Sequence, residues 1–292
     1  MRSYLTLLAK LAFMAGALWL VARHLDLPQL GRTLRAARPG WLALAAVLFT
    51  LSKLISSVRL NTFFQAISIR LTERYNLRLY WLGMYYNLFL PGGIGGDGYK
   101  VYLLGKEFPG QRAAIFRALL LDRLSGMVAL LVLLLALAAA LPAGRFAAWV
   151  PSLAPGAWRA GLLALVPLGL AVSYGLGRWL FGEFAGAFGR TSWQALGVQG
   201  AQVLCAWALL AALGAADGPV LPYLLVFLAS SIAAVLPLTV GGLGAREVTF
   251  LYGAKLFALS VPVAVSVSVL FYVITAAVSL VGALVRVRAT PG

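Results

Sequence analysis

Acidic residues, histidine and cysteine are scarce in this chain. Of its 292 residues only 11% are charged, eight are Asp or Glu, and there is one histidine and one cysteine, Cys205. A single cysteine cannot form an internal disulfide, and His24 has no neighbouring Cys or His with which to share a metal ion. We therefore expect no metal and no other cofactor. The chain also lacks the phosphate-binding motif G-x-x-x-x-G-K-[ST], so no nucleotide-driven step is expected.

Apolar residues dominate instead. They make up 62% of the chain, whose mean hydropathy is +0.92. A membrane-spanning helix needs roughly 20 apolar residues, and continuous runs of this kind favour helices over a barrel. Runs of that order cover 4–22, 41–67, 118–141, 157–177, 193–216, 221–238 and 261–285, with shorter pieces at 77–91 and 247–258. The sequence predicts an all-α polytopic membrane protein with about seven to nine membrane-embedded helices, forming a single domain over residues 1–292.

The formal net charge is +16, and most of the 24 Lys and Arg residues lie in the first half of the chain. Basic loops stay on the cytoplasmic side of a membrane. Loop 59–78, segment 100–117 and the C-terminal Arg286 and Arg288 are therefore predicted to be cytoplasmic. Because these cations flank apolar runs and do not form a soluble basic domain, nucleic acid is not an expected partner.

Segment 23–40 conflicts with this topology. It is basic, yet it should lie opposite loop 59–78 if the helix between them crosses the membrane. Leu27, Leu30 and Leu34 have helical spacing, which is typical of an amphipathic helix lying flat in the interface. That arrangement would remove the conflict.

Two glycine-rich stretches resemble each other. Residues 91–100 read PGGIGGDGYK and residues 237–246 read PLTVGGLGAR, and they align without a gap as P-x-x-[IV]-G-G-x-G-x-[KR]. The matched pairs are Pro91 and Pro237, Ile94 and Val240, Gly95 and Gly241, Gly96 and Gly242, Gly98 and Gly244, and Lys100 and Arg246. Such interrupted segments in corresponding places indicate a transporter repeat. We predict an inverted repeat with halves at roughly 41–141 and 193–285.

Proline and glycine at these places would break a membrane helix. The backbone groups that a break exposes must be buried in protein or line a wet cavity. Amides at a helix start favour an anion, and each stretch ends in a cation, Lys100 or Arg246. The pattern predicts a site for a phosphate or a carboxylate.

Carboxylates accompany both breaks. Four of the eight acidic residues lie beside a break or at the start of the following helix: Asp97, Glu107, Asp122 and Glu247. Asp97 and Lys100 could pair if that stretch is helical. Buried charges in a membrane are functional candidates, although these residues could also simply neutralise one another and clamp loops. Without a close cation, Asp97 would have a raised pKa and could carry a proton.

A third polar patch lies at residues 52–59, SKLISSVR. Ser52, Ser56 and Arg59 share one helical face, with Lys53 and Ser57 beside it. Two interpretations stay open. Either this face lines a path for a lipid headgroup, or its cations extend to the membrane interface.

These motifs resemble the lysylphosphatidylglycerol synthase transmembrane family, also called the flippase-like domain family. NLFLPGGIGGDGYKVYLL (87–104) is similar to the family's asparagine, proline-glycine, GGD and basic-residue signature, with Lys100 where arginine is more usual. LLLDRLSGM (119–127) is similar to its acidic-Arg-Leu motif, and LPLTVGGLGAREVTF (236–250) to its P-x-S-x-GG-x-G-x-RE motif, with Thr239 in place of serine.

The resemblance implies a protein of the bacterial inner membrane that moves lipids or lipid-linked molecules between leaflets. In the best-known members this region flips aminoacylated phosphatidylglycerol made by a fused soluble domain. The chain ends after its last apolar run, so we do not expect it to aminoacylate lipids. The residues expected to bind substrate are Asn87, Pro91, Gly92, Gly93, Gly95, Gly96, Asp97, Lys100, Asp122, Arg123, Pro237, Thr239, Gly241, Gly242, Gly244, Arg246 and Glu247.

The sequence thus predicts a lipid translocase that is not an enzyme, driven by the lipid gradient, the membrane potential or protons. Its predicted partners are membrane lipids, an anionic phospholipid or a lipid-linked phosphate, and a second copy of the chain in a homodimer is a further candidate. Two alternatives stay open: an integral membrane enzyme that transfers a glycosyl or lipid group, and a non-transporting subunit of a lipid-modifying complex. An enzyme of the first kind usually needs paired carboxylates or a metal site with a sizeable external loop, and the longest candidate external loop, about 142–156, has no acidic residue. A membrane protease would need a histidine partner, and the single histidine, His24, is remote from both motifs in the sequence.

Overall fold

A computed structural model describes Trp19 and residues 27–89, 95–142, 156–235 and 244–285. The described residues form an all-helical bundle without strands. Its ten α-helices are α1 Leu27–Arg35, α2 Pro39–Ala66, α3 Glu73–Phe89, α4 Gly95–Glu107, α5 Arg112–Ala139, α6 Ala157–Leu180, α7 Phe188–Ala212, α8 Val220–Val235, α9 Ala245–Leu256 and α10 Val261–Leu280. Two short 3-10 helices adjoin them, Gly182–Ala187 before α7 and Val281–Leu284 after α10.

Five of these segments are long and apolar enough to cross a membrane. They are α2, α5, α6, α7 with the 3-10 helix before it, and α10 with the 3-10 helix after it. Each matches one of the apolar runs in the sequence, whereas the predicted run 4–22 lies outside the described residues except for Trp19. Helix α5 begins at Arg112, before the predicted apolar run, because residues 112–121 (RAAIFRALLL) are mostly good helix formers. Helix α8 is apolar but shorter, at 16 residues.

The basic segment that conflicted with the predicted topology contains α1. Leu30 of this helix packs against the buried Leu251 of α9 and Val265 of α10. Its last turn carries Arg32 and Arg35. A helix in this segment is therefore confirmed, and its Leu30 packs against the bundle, whereas its position flat in the interface stays a prediction.

The bundle contains the same order of long, short, short and long helices twice. Helices α2 to α5 have 28, 17, 13 and 28 residues, and helices α7 to α10 have 25, 16, 12 and 20. Corresponding helices also make corresponding contacts: α3 packs on α4 as α8 packs on α9, and α5 packs on α8 as α10 packs on α3. Helix lengths and contacts do not fix the directions of the two units across a membrane, so the inverted repeat stays a prediction.

The described residues form four buried apolar clusters, and α2 runs through the two largest. The larger cluster includes Phe49, Phe227 and Phe271, whose rings meet edge to face with centroids 5.5 and 4.9 Å apart. The smaller cluster contains Leu60 and Phe64 of α2. The polar patch at residues 52–59 therefore occupies the part of α2 between the two clusters, inside the bundle.

Candidate functional site

The first glycine-rich stretch leads into α4, which begins at Gly95. The side-chain oxygen of Asn87 accepts a hydrogen bond from the Gly96 N–H at 2.8 Å, and it thereby satisfies one of the free amides at this helix start. A Cβ atom at Gly96 would overlap the Gly83 carbonyl and lie 2.7 Å from its carbon. Glycine at this position therefore lets α3 and α4 pack backbone to backbone.

Asp97 follows Gly96 in the sequence, and its carboxylate accepts hydrogen bonds from two cations. Lys100 Nζ donates to Asp97 Oδ1 at 3.1 Å, and Arg123 Nε donates to Oδ2. Lys100 also lies 4.7 Å from the centre of the Tyr80 ring. The predicted pairing of Asp97 with Lys100 is confirmed. The condition on which Asp97 would carry a proton, the absence of a close cation, is not met, because two cations share its carboxylate.

A second buried ion pair connects α2 to α5. Arg59 is only 5% exposed and donates from Nε to Asp122 Oδ1 at 2.7 Å. Its Nη1 is buried and has no hydrogen-bond partner among the described residues. The alternative in which Arg59 extends to the membrane interface is therefore wrong. Lys53 is partly buried, with Nζ 4.7 Å from the centre of the Phe49 ring.

The second glycine-rich stretch leads into α9. Gly244 precedes this helix with φ of 89°, a backbone conformation that glycine adopts without strain. Its N–H donates to Glu247 Oε2 at 2.7 Å, and the Ser268 hydroxyl of α10 donates to Oε1 at 2.9 Å. The buried Glu247 thus caps its own helix, where the helix dipole favours a negative charge, and binds that helix to α10.

Arg246 projects into the larger apolar cluster. Its guanidinium lies 4.6 Å from the centre of the Phe271 ring and 5.7 Å from that of Phe227. Its Nη1 atom is buried and has no hydrogen-bond partner in the part of the chain that the structure describes. Lys53 of α2 lies against the Phe49 ring, which packs on the same Phe271 ring that Arg246 contacts. The charges of the two predicted halves therefore meet inside the bundle.

We call these side chains the charged layer. It consists of Lys53, Arg59, Asp97, Lys100, Asp122, Arg123, Arg246 and Glu247. All but Lys53 and Arg59 were predicted as substrate-binding residues, and those two belong to the predicted polar patch. Sequence reasoning missed Tyr80 and Ser268, because an aromatic or a serine within an apolar helix carries no distinctive signal.

The two aligned stretches begin their helices at different places. Helix α4 starts at Gly95, four residues earlier in the alignment than α9, so that Gly98 is helical whereas the matching Gly244 precedes its helix. The capping groups explain the difference. Asn87 aligns with Ala233, which has no side-chain acceptor, and Glu247 aligns with Val101. Each stretch therefore has a cap that the other lacks.

Several predicted residues are not in the charged layer. Pro91, Gly92, Gly93, Pro237, Thr239, Gly241 and Gly242 lie outside the described residues. Glu107, predicted to lie beside the first break, is at the far end of α4, where it accepts a hydrogen bond from the Tyr75 hydroxyl at 2.6 Å. Burial and this carboxylate raise the pKa of Tyr75 above its ordinary value, so the phenol stays protonated as the donor.

Comparison with known proteins identifies the chain by its family. No curated protein matches it. A family model described as the lysylphosphatidylglycerol synthase TM region matches residues 7–282 of 292. With five apolar helices of spanning length in its described part, the protein is a multi-pass membrane protein, and the family is associated with membrane phospholipids. The chain therefore belongs to the lysylphosphatidylglycerol synthase TM-region family.

Proposed function

We propose that this protein is a lipid translocase that moves a phosphate-bearing lipid headgroup between the leaflets of a membrane. The observation that carries the proposal is the charged layer inside the bundle. Its cations are Lys53, Arg59, Lys100, Arg123 and Arg246, whereas its carboxylates are only Asp97, Asp122 and Glu247. The layer therefore has an excess of positive charge.

Buried charges are costly unless they are paired and hydrogen-bonded. Arg246 has an aromatic ring on one side and a buried Nη1 donor without a partner among the described residues. Arg59 likewise retains an unused Nη1 donor beyond its ion pair. Guanidinium groups bind phosphate oxygens with short, charge-assisted hydrogen bonds. An anionic headgroup would supply the acceptors and the negative charge that the layer lacks.

The short helix pairs support the same function. In transporters built from repeats, substrate sites lie where broken helices meet near the middle of the membrane. Here the pairs α3–α4 and α8–α9 each enclose one glycine-rich stretch. The helices that follow these stretches carry Asp97, Lys100 and Arg246 into the interior. A headgroup bound to the layer would therefore contact both predicted halves of the protein.

We place the protein in the bacterial inner membrane with its C-terminal end in the cytoplasm. The family resemblance supports the membrane, and the positions of the basic residues support the orientation. Arg286 and Arg288 follow the last apolar helix, and loop 215–222 has no Lys or Arg. Basic flanks stay cytoplasmic, so this loop is assigned to the opposite side. The homodimer stays a prediction from the sequence.

The test is leaflet exchange of fluorescently labelled lipids in proteoliposomes, with zwitterionic, anionic and lysyl-bearing phospholipids measured separately. Arg246→Gln removes the guanidinium of α9 whose Nη1 is buried. Lys255→Gln removes an exposed charge from the same helix and is the matched control. We expect faster exchange of the anionic lipid than in empty liposomes. Arg246→Gln should reduce that acceleration at least tenfold, and Lys255→Gln should leave it unchanged.

The two variants separate a headgroup role from general damage to the protein. Equal loss in both variants would point to misfolding, so each is also compared with the parent chain by thermal unfolding. Exchange no faster than in empty liposomes for all three lipids, with a folded parent chain, would contradict phospholipid translocation. Accelerated exchange that Arg246→Gln does not change would remove the charged layer from the path.

A further inference from the structure

An apolar groove lies between helices α5, α6 and α7. It is enclosed by α5, α6, the 3-10 helix Gly182–Ala187 and α7, and its volume is about 300 Å3. Its walls are mainly Leu and Phe side chains, among them Leu170 and Phe184. Gly177 of α6 lines the groove and has open space beside it. A Cβ atom at this position would have no neighbour within 4 Å.

Two exposed tryptophans indicate where the groove lies relative to the headgroup layer of the membrane. Trp179 at the end of α6 is 80% exposed and Trp193 near the start of α7 is 77% exposed, and exposed tryptophans at helix ends mark the headgroup layer. On α6 the groove lining runs from Leu170 to Leu180, with Arg178 near the end that Trp179 marks. Those ten residues of helix span about 15 Å. One leaflet of hydrocarbon is about 15 Å thick, so the groove extends over most of one leaflet.

Positive charge is concentrated at the outer end of the groove. Arg178 is exposed, and its one hydrogen bond to a described residue is a long contact of 3.5 Å from Nη1 to the Tyr174 hydroxyl. Arg190, at the start of α7, is also exposed at this level. An apolar groove of leaflet depth with a cation at the headgroup end has the chemistry of a bound phospholipid.

We propose that this groove binds one acyl chain of an anionic phospholipid, with the lipid phosphate at Arg178. Leu121 and Leu124 line the groove on α5 and flank Asp122 and Arg123 of the charged layer. A lipid held in the groove therefore lies directly beside that layer. The proposal concerns binding alone, and it is tested without measuring leaflet exchange, so it stands or falls separately from translocation.

The test uses phosphatidylglycerol and phosphatidylcholine that carry a diazirine at the end of one acyl chain. Each is reconstituted with the full chain, photolysed, and the labelled peptides are mapped by mass spectrometry. Gly177→Trp fills the groove. Gly175→Trp is the matched control, because Gly175 is on the same helix, has equal space and does not line the groove. Arg178→Gln removes the cation at the groove, and Arg190→Gln removes one nearby.

We expect label on the groove segments of α5, α6 and α7, severalfold stronger with phosphatidylglycerol than with phosphatidylcholine. Gly177→Trp should remove most of that label, and Gly175→Trp should not. Arg178→Gln should bring the two lipids to equal labelling, and Arg190→Gln should keep their difference. Label spread evenly over all lipid-facing helices, or unchanged by Gly177→Trp, would overturn the groove site. A lipid preference unchanged by Arg178→Gln would overturn the position of the phosphate.

Discussion

The contact between Gly83 and Gly96 is the sharpest test of how the first glycine-rich stretch is held. In the change Gly96→Ala, the new methyl group meets the Gly83 backbone, which cannot rotate away as a side chain could. Overpacking of this kind costs about 1–3 kcal/mol, and more where backbone must move. In the change Gly98→Ala on the same helix, the methyl group meets nothing within 4 Å. Alanine there should stabilise α4 by about 0.4–1 kcal/mol.

The two variants should therefore differ in unfolding free energy by about 1.4–4 kcal/mol, with Gly96→Ala the less stable. The protein carries its own reporter, because its single cysteine, Cys205, is fully buried. A thiol-reactive fluorophore added during heating in detergent reports the unfolding midpoint of each variant. If Gly96→Ala unfolds at or above the midpoint of Gly98→Ala, helices α3 and α4 do not touch at this point and the description of the site is wrong.

Four further substitutions have expected outcomes. Gly83→Ala meets the flexible end of Lys100, 2.5 Å from Cε, so it should slow anionic-lipid exchange in proteoliposomes while lowering the unfolding midpoint less than Gly96→Ala does. Asp122→Asn leaves a buried arginine unpaired and should cost about 3–5 kcal/mol by thiol-probe unfolding. Glu183→Gln breaks the ion pair with Arg117, in which both side chains are more than a third exposed, so it should cost less than about 1 kcal/mol. Equal costs for Asp122→Asn and Glu183→Gln would contradict the burial of the Arg59–Asp122 pair. Asn87→Ala removes a helix cap and should cost about 1 kcal/mol. Hydrogen exchange of the amides at the start of α4 should then be faster than in the parent chain, and slower exchange would contradict the cap.

The charged layer shows which site residues and which of their contacts could be predicted from the sequence. Asp97, Lys100, Asp122, Arg123 and Arg246 stood out in the sequence because charge is rare among apolar runs. The sequence also gave the spacing that pairs Asp97 with Lys100. It could not show that Arg123, 26 positions away, shares the same carboxylate, because helix packing creates that contact.

Glu247 and Lys53 are residues whose contacts could not be predicted from the sequence. Next to Arg246 in the sequence, Glu247 was read as a partner for a cation or a headgroup, but its oxygens are used by the Gly244 amide and the Ser268 hydroxyl. Lys53 could equally have extended to the interface, and only the packing of α2 places its Nζ against the Phe49 ring of the larger apolar cluster.

The sequence by itself determined that this is a helical membrane protein, where most of its helices lie and which family it belongs to, because apolar runs of spanning length and locally spaced motifs are one-dimensional features. Only the tertiary structure decided which charges pair, which donors are left without partners among the described residues, and that an apolar groove opens between α5, α6 and α7. Those features depend on distances between side chains far apart in the chain, and such distances exist only once the helices have packed.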